Sequence, residues 1–403
     1  MMKTKTEYLN EVDTYSAHNY KPLPVVLAQG EGIWVWDTEG KKYLDGLSAY
    51  SALNQGHRHP KIIQALKTQA DKITLTSRAF HNDQMGAFLK KLCEISEMEQ
   101  ALPMNTGTEA VETALKLARK WGYEKKGISK DQAEIIVCEN NFHGRSTTIV
   151  SFSSEAQYRN GFGPFTPGFK IIPYGDVEAL NRAITPNTVA FLFEPIQGEA
   201  GVIVPPAGFL TAAKSVCQRH QILCIIDEIQ TGLGRTGKLF CYQHEPNSKP
   251  DVLILGKALG GGVFPVSAVL TAKKIMDVFR PGDHGSTFGG NPMAAAVGSA
   301  SLAVLIDEKL PERSAEMGAY LLEKLKTLES PIIQDIRGKG LMIGIEVKAS
   351  FGHVRPLCEK LATSGVLVKD THERVMRITP PLVIQKSDVN WLFEKLSEVF
   401  RSV

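Results

Sequence analysis

ILCIIDEIQ, residues 222–230, sets five apolar residues directly before Asp227, Glu228 and Gln230. A continuous apolar run of this length suits a strand buried on both faces, where no residue has to alternate toward solvent. The pattern recurs in IIVC (135–138), VAFLF (189–193) and VLIL (252–255). Helical patterns separate these runs, so residues 61 to 290 read as an α/β unit with a mostly parallel sheet. Upstream, IWVWDTEGKKYLDGL (33–47) reads as two short strands joined by the turn residues Asp37 to Gly40. Downstream, a helix through AAAVGSASLAVLI (294–306) leads to LMIGIEV (341–347), another helix, a closing strand and a last helix. The expected organisation is an N-terminal segment, 1–60, that joins a small α+β domain at 293–403, with a large α/β domain at 61–292. Length agrees, because 403 residues exceed the roughly 250–300 over which a single core keeps growing.

Composition narrows the class of function. Net charge is +3, from 46 basic and 43 acidic residues, too even to favour nucleic acid or a membrane surface as partner. The N-terminal stretch MMKTKTEYLNEVDTYSAHNYK has no apolar core of a signal peptide, and no apolar run is long enough to span a bilayer. The six cysteines form no CxxC pair, and several sit inside apolar runs as small hydrophobes. A reducing, cytoplasmic setting is the expectation.

Ligands of open α/β sheets bind where the strands end, so the residues after each apolar run matter most. IIVC is followed by Phe142-His143-Gly144-Arg145, and VAFLF by Glu194 and then Glu199. ILCII is followed by Asp227 and Gln230, and VLIL by Gly256-Lys257. A lysine beside a dry wall loses its proton readily and can form a Schiff base. Read alone, Lys257 is more readily a solvated loop lysine, and the triple glycine and preceding apolar run weaken that reading. A carboxylate at a strand end such as Asp227 needs a partner, whether a pyridinium N–H, a salt bridge or a helix start. Together a lysine, an aspartate and an arginine outline carbonyl-amine chemistry.

A further cue is NTGTEAVETALKLAR (105–119). Val111, Ala114, Leu115 and Ala118 share one helical face, and Thr106 and Glu109 have the spacing of a capping box. A helix start with Gly107 allowing close approach is a seat for phosphate, although most capped helices hold none. Two motifs compete with this reading. GLGRTGK (232–238) has the spacing of a nucleotide-binding loop, but Leu239 stands where a hydroxyl should ligate magnesium. His57 and His59 in GHRHP have no third ligand at a recognisable spacing, so no metal is expected.

As a set these stretches resemble the class III, or ω-, aminotransferases of fold type I. The matching segments are NTGTEAVETALKLAR, NFHGRS, EPIQGEAGV, IIDEIQTGLGRTG, LGKALGGG, HGSTFGGNPMAAA and RGKGLMIGIE. The resemblance implies a homodimeric enzyme that carries pyridoxal 5'-phosphate. Lys257 would hold the cofactor as a Schiff base and move the proton, and Asp227 would meet the pyridine nitrogen. Gln230 would approach the phenolic oxygen, Phe142 would stack on the ring, and Gly107 and Thr108 would cradle the phosphate. Thr287, with Ser286 beside it, would reach the phosphate in the neighbouring subunit. HNYKPLPVVL (18–27), SAYSALNQGHRHPKI (48–62), HGSTFGGNP (284–292) and MRITPPLVI (376–384) are most similar to the branch that acts on ornithine with 2-oxoglutarate. There Arg145 would bind the α-carboxylate of ornithine, Tyr20 its α-amine, and Tyr50 would flank the channel. Arg377 would take the α-carboxylate of 2-oxoglutarate, with Glu199 masking it during the ornithine half-reaction. N-acetylornithine and 4-aminobutyrate are the alternative amino donors within the family.

Overall fold

The computed structural model describes residues 3–403. It opens on the expected meander, β1 (Leu27–Glu31), β2 (Trp34–Asp37) and β3 (Lys42–Asp45). The turn between β2 and β3 is set by Asp37, whose Oδ1 accepts the amides of Glu39 and Lys41 at 3.0 and 2.9 Å. Its Oδ2 accepts the Tyr43 hydroxyl at 2.7 Å. An aspartate at this place mimics a backbone turn with its own side chain.

The apolar runs become neighbours in one seven-stranded sheet. Its members are β4 (Gln100–Met104), β5 (Glu134–Cys138), β6 (Phe169–Ile172), β7 (Thr188–Phe193), β8 (Leu223–Asp227), β9 (Val252–Leu255) and β10 (Ser267–Thr271). They lie in the order β4-β10-β9-β8-β7-β5-β6. β6, β5, β7, β8 and β9 run parallel, while β10 is antiparallel to both β9 and β4. The sheet is therefore mostly parallel, as expected. The strand order reverses between β5 and β7, the switch point at which open sheets bind ligands.

Alternation along these strands feeds two separate cores. Ile136, Phe191, Phe193, Cys224, Ile226, Leu253 and Leu255 pack into one. Ile135, Val137, Ala190, Leu192, Leu223, Ile225, Val252 and Ile254 pack into the other, against Val111, Ala114, Leu115 and Ala118 of the helix Gly107–Lys125. Both faces being dry explains why the runs are continuous in sequence. The helix Pro292–Asp307 is apolar on nearly all sides, and Asn291 caps it by accepting the Ala294 amide at 2.9 Å.

The C-terminal part forms an antiparallel sheet of β11 (Ile333–Lys339), β12 (Met342–Val347), β14 (Lys369–Thr371) and β15 (Val375–Ile378). The short β13 (Val366–Leu367) leaves that sheet and pairs in parallel with β3, Val366 opposite Leu44. No helix among the described residues is long and apolar enough to cross a membrane.

Candidate active site

The carboxyl ends of β5, β7, β8 and β9 converge on a cavity of about 180 Å³. Gly107, Thr108, Phe142, Glu199, Asp227, Gln230 and Lys257 all line it. One end is a helix start. Thr106 Oγ1 accepts the Glu109 amide at 3.2 Å, and Glu109 Oε2 accepts the Thr106 amide at 2.7 Å. This reciprocal cap leaves Gly107 and Thr108, the next residues of the turn, at the cavity edge. Gly144 lies beside them with φ of 130°, and a Cβ there would sit 2.3 Å from Thr108 Oγ1. The positive end of the helix and this close backbone suit an anion.

Lys257 follows β9 with φ of 43°, a left-handed conformation uncommon for a residue with a side chain and one concentrated at functional sites. It has no hydrogen bond or ion pair among the described residues. Burial lowers its pKa, against the opposing pull of Glu199 and Asp227. At the far side Asp227 is buried, with Oδ2 2.7 Å from His143 Nδ1 and Oδ1 accepting the Ile229 amide at 3.0 Å. Burial works against a charge on His143, but its bond to Asp227 prevails and raises its pKa. A carboxylate held this way by a histidine is poised to receive another N–H.

A charged pair closes the outer end. Arg377 is 1% exposed, and its Nη1 donates to Glu199 Oε1 at 2.5 Å. Burial opposes ionisation of Glu199, yet Arg377 and Lys257 outweigh it and bring the carboxyl down to about 2. Gln230 Nε2 donates to the same carboxylate at 3.2 Å and to the Tyr50 carbonyl at 3.4 Å. The Tyr50 ring lies 5.2 Å from the Arg377 guanidinium. Tyr50 sits in a turn whose residues Ser48, Ala49, Tyr50 and Ser51 have φ of 44, 46, 60 and 70°. Left-handed backbone costs roughly 1–2 kcal/mol per non-glycine residue, so surrounding bonds must hold it. Asp45 Oδ1 accepts the amides of Leu47 and Ser48 at 2.9 and 2.8 Å, and Ser48 Oγ donates to the Thr379 carbonyl at 2.5 Å.

Arg145 stands exposed beside Phe142, its guanidinium 4.4 Å from the Tyr158 ring, with no carboxylate partner among the described residues. Of the predicted site residues, Tyr20, Tyr50, Arg145, Ser286, Thr287 and Arg377 are not among those lining the cavity, although Tyr50 and Arg377 bond to Gln230 and Glu199, which are. Tyr20 is 67% exposed, Thr287 is exposed, and Ser286 Oγ accepts from Asn105 Nδ2 at 2.8 Å. The loop 232–237 is buried throughout, so its glycines serve close packing rather than an open phosphate cradle. His57 pairs with Asp45 at 2.7 Å, and no metal-binding cluster occurs among the described residues.

The family description "Aminotransferase class-III" matches residues 15–400. The chain belongs to the class III aminotransferases. A curated relative, the ornithine aminotransferase of Geobacillus sp. (strain WCH70), is 60% identical over 402 residues and covers 100% of both chains. Among solved structures, the ornithine aminotransferase from Toxoplasma gondii ME49 superposes with a TM-score of 0.98 at 45% identity, covering 100% of this chain and 96% of that one. The acetylornithine aminotransferase from Elizabethkingia anophelis gives 0.90 at 46% identity, covering 100% of each chain.

Two polar groups at this class III aminotransferase site carry no role in the sequence reading. His143 fixes Asp227, and Glu194 is buried with Oε2 accepting the Phe142 amide at 3.0 Å. Burial pushes Glu194 up to about 7. Both follow apolar runs, as several other site residues do, but their partners follow or end other strands that only the sheet order brings close.

Proposed function

We propose that the protein moves the δ-amino group of L-ornithine to 2-oxoglutarate, giving glutamate 5-semialdehyde and glutamate. The observation that carries this reading is the Glu199–Arg377 pair, whose carboxylate lines the same cavity as Lys257. A cationic diamine must be admitted with its distal amine forward, and a dicarboxylate must be admitted by the same cavity. A buried arginine that can be masked or bared by its own carboxylate serves both needs. Arg145 takes the α-carboxylate of ornithine and the distal carboxylate of 2-oxoglutarate. Tyr20 meets the α-amine of ornithine, and Tyr50 flanks the channel. The name borne by the 60% identical relative supports this donor over N-acetylornithine and 4-aminobutyrate.

Pyridoxal phosphate fits these residues: a capped helix start with glycines for the phosphate, the buried Asp227 for a ring N–H, and the Lys257 amine, unpaired among the described residues, lining the same cavity. When bound it supplies an electron sink for the carbon that bears the amine. Phe142 would cover the ring face, Gln230 would approach the ring oxygen, and Gly107 and Thr108 would hold the phosphate at the helix start. Lys257, its proton loosened by burial, would hold the cofactor and act as the proton carrier through its Nζ. Ser286 and Thr287, on an exposed loop, reach the phosphate of a second copy, so the working unit is a homodimer. The six unpaired cysteines support a cytoplasmic enzyme, one that links arginine breakdown to proline synthesis through the cyclising semialdehyde.

The test is a panel of amino donors with 2-oxoglutarate as acceptor, scored for the cyclised semialdehyde. Ornithine should exceed N-acetylornithine and 4-aminobutyrate in kcat/KM by about a hundredfold, the scale of one lost hydrogen bond to a charged group. Equal turnover of N-acetylornithine would overturn the assignment of the donor.

A further inference from the structure

We propose that Arg235 is a positioning residue for the carboxylate-recognising end of this site, setting the spacing between the Tyr50 turn and the Arg377 strand. The proposal rests on the reading of function given above. Arg235 is 0% exposed and forms no ion pair among the described residues. Its guanidinium is spent on neutral acceptors from separate segments. Nη1 donates to the carbonyls of Leu341 at 2.8 Å and Pro380 at 2.6 Å. Nη2 donates to Ser48 Oγ at 3.1 Å and Asn54 Oδ1 at 2.6 Å.

These acceptors flank the recognition groups. Ser48 opens the left-handed turn that presents Tyr50, and Asn54 lies just past it. Pro380 follows β15, which carries Arg377. Arg235 itself follows Asp227 and Gln230 on the loop that leaves β8. The same groups meet at the cavity wall, where Gln230, which lines it, donates to the Tyr50 carbonyl and the Tyr50 ring lies 5.2 Å from Arg377. One rigid fork thus ties together, through two carbonyls and two side-chain oxygens, the segments that carry Tyr50 and Arg377. A turn of four left-handed residues has no local preference for its shape, so its position follows whatever grips it from outside. Burying a guanidinium without a carboxylate is costly, and an apolar residue would fill the volume without that cost. The four directional donors are what an apolar residue cannot supply.

The experiment uses the intact cofactor-loaded enzyme, with glutarate as a dicarboxylate that binds without reacting. Arg235→Lys keeps the charge but cannot span four acceptors. It should raise the glutarate Ki and the 2-oxoglutarate KM by about tenfold or more, with the ornithine KM within about twofold and the absorbance of the bound cofactor unchanged. Dicarboxylate affinities that stay within about twofold while the melting temperature falls would reduce Arg235 to a structural clamp and overturn the proposal. A parallel rise in both KM values would overturn it equally. If Arg235→Lys is not recovered folded, Ser48→Ala decides. It should weaken glutarate by about threefold, and unchanged glutarate binding sinks the idea. The unmutated enzyme separates the two readings, since failure of ornithine turnover there refutes the proposed function and not the role of Arg235.

Discussion

Glu194 and Glu199 leave the same strand, yet their surroundings drive them in opposite directions. Burial raises Glu194 to about 7, while the charges of Arg377 and Lys257 overcome burial and lower Glu199 to about 2. The linkage signs follow. Glu199 binds its proton less tightly when folded, so its contribution to stability is in place above the unfolded value near 4.5 and is lost as pH falls toward 2. Glu194 binds its proton more tightly when folded, so its contribution is full below 4.5 and fades as pH rises through 7. The melting-temperature gap between Glu199→Gln and the unmutated protein should therefore narrow between about pH 5 and pH 3. Glu194→Gln should gain on the unmutated protein between about pH 5 and pH 8. Gaps that stay constant with pH would show that neither carboxyl titrates as its surroundings dictate. At this scale the sequence is least legible. Arg377 in VMRI gives no sign that it is buried, because its partner Glu199 lies 178 residues away and meets it only when β15 packs beside the loop after β7.

Elements were more readable, because periodicity is a local signal. All four apolar runs are central strands, and the capping spacing at Thr106 and Glu109 is a real reciprocal cap. The strands not anticipated are informative. β4 reads QALPM, in which Pro103 weakens any strand pattern. The structure tolerates it because β4 is an edge strand, where a missing ladder donor costs little. β10 reads SAVLT, which is apolar enough but precedes no site residue and so stood apart from the repeated pattern. The cap itself can be tested. Thr106→Ala should cost about 1 kcal/mol of stability and speed loss of the phosphate-bearing cofactor, since the first turn is what presents Gly107 and Thr108. Equilibrium unfolding and the rate of cofactor release on dilution measure the two effects. A destabilised variant that keeps its cofactor as tightly as before would separate the cap from the phosphate seat.

Across the whole molecule, the α/β class and the placing of the site at the strand ends followed from the order of elements alone. We propose the expected division, 1–60 with 293–403 around a large unit at 61–292, as the natural folding units. What length and pattern could not convey is how these parts meet. They meet backbone to backbone. A Cβ on Gly318 would lie 2.1 Å from the Gly340 carbonyl carbon, and one on Gly340 would lie 2.4 Å from that of Thr236. The helix Leu310–Lys326, the β11–β12 hairpin and the loop bearing Arg235 are thus stacked at a contact that admits no side chain. Gly318→Ala should destabilise by about 1–3 kcal/mol through overpacking, read as a lowered midpoint in urea at unchanged slope. A midpoint equal to that of the unmutated protein would mean that the joint yields.

The pairing of β3 with β13 also has a consequence for synthesis. Leu44 leaves the ribosome long before its partner Val366 exists. At about 5–20 residues per second, the roughly 320 intervening residues take about 15–65 s to emerge. Throughout that time the outer edge of β3 presents unpaired donors and acceptors, a template for any passing strand. The nascent chain therefore carries an open seam that only its own last hundred residues can close. Its hazard in the cell is set by the pace of translation and by whatever shields that edge meanwhile.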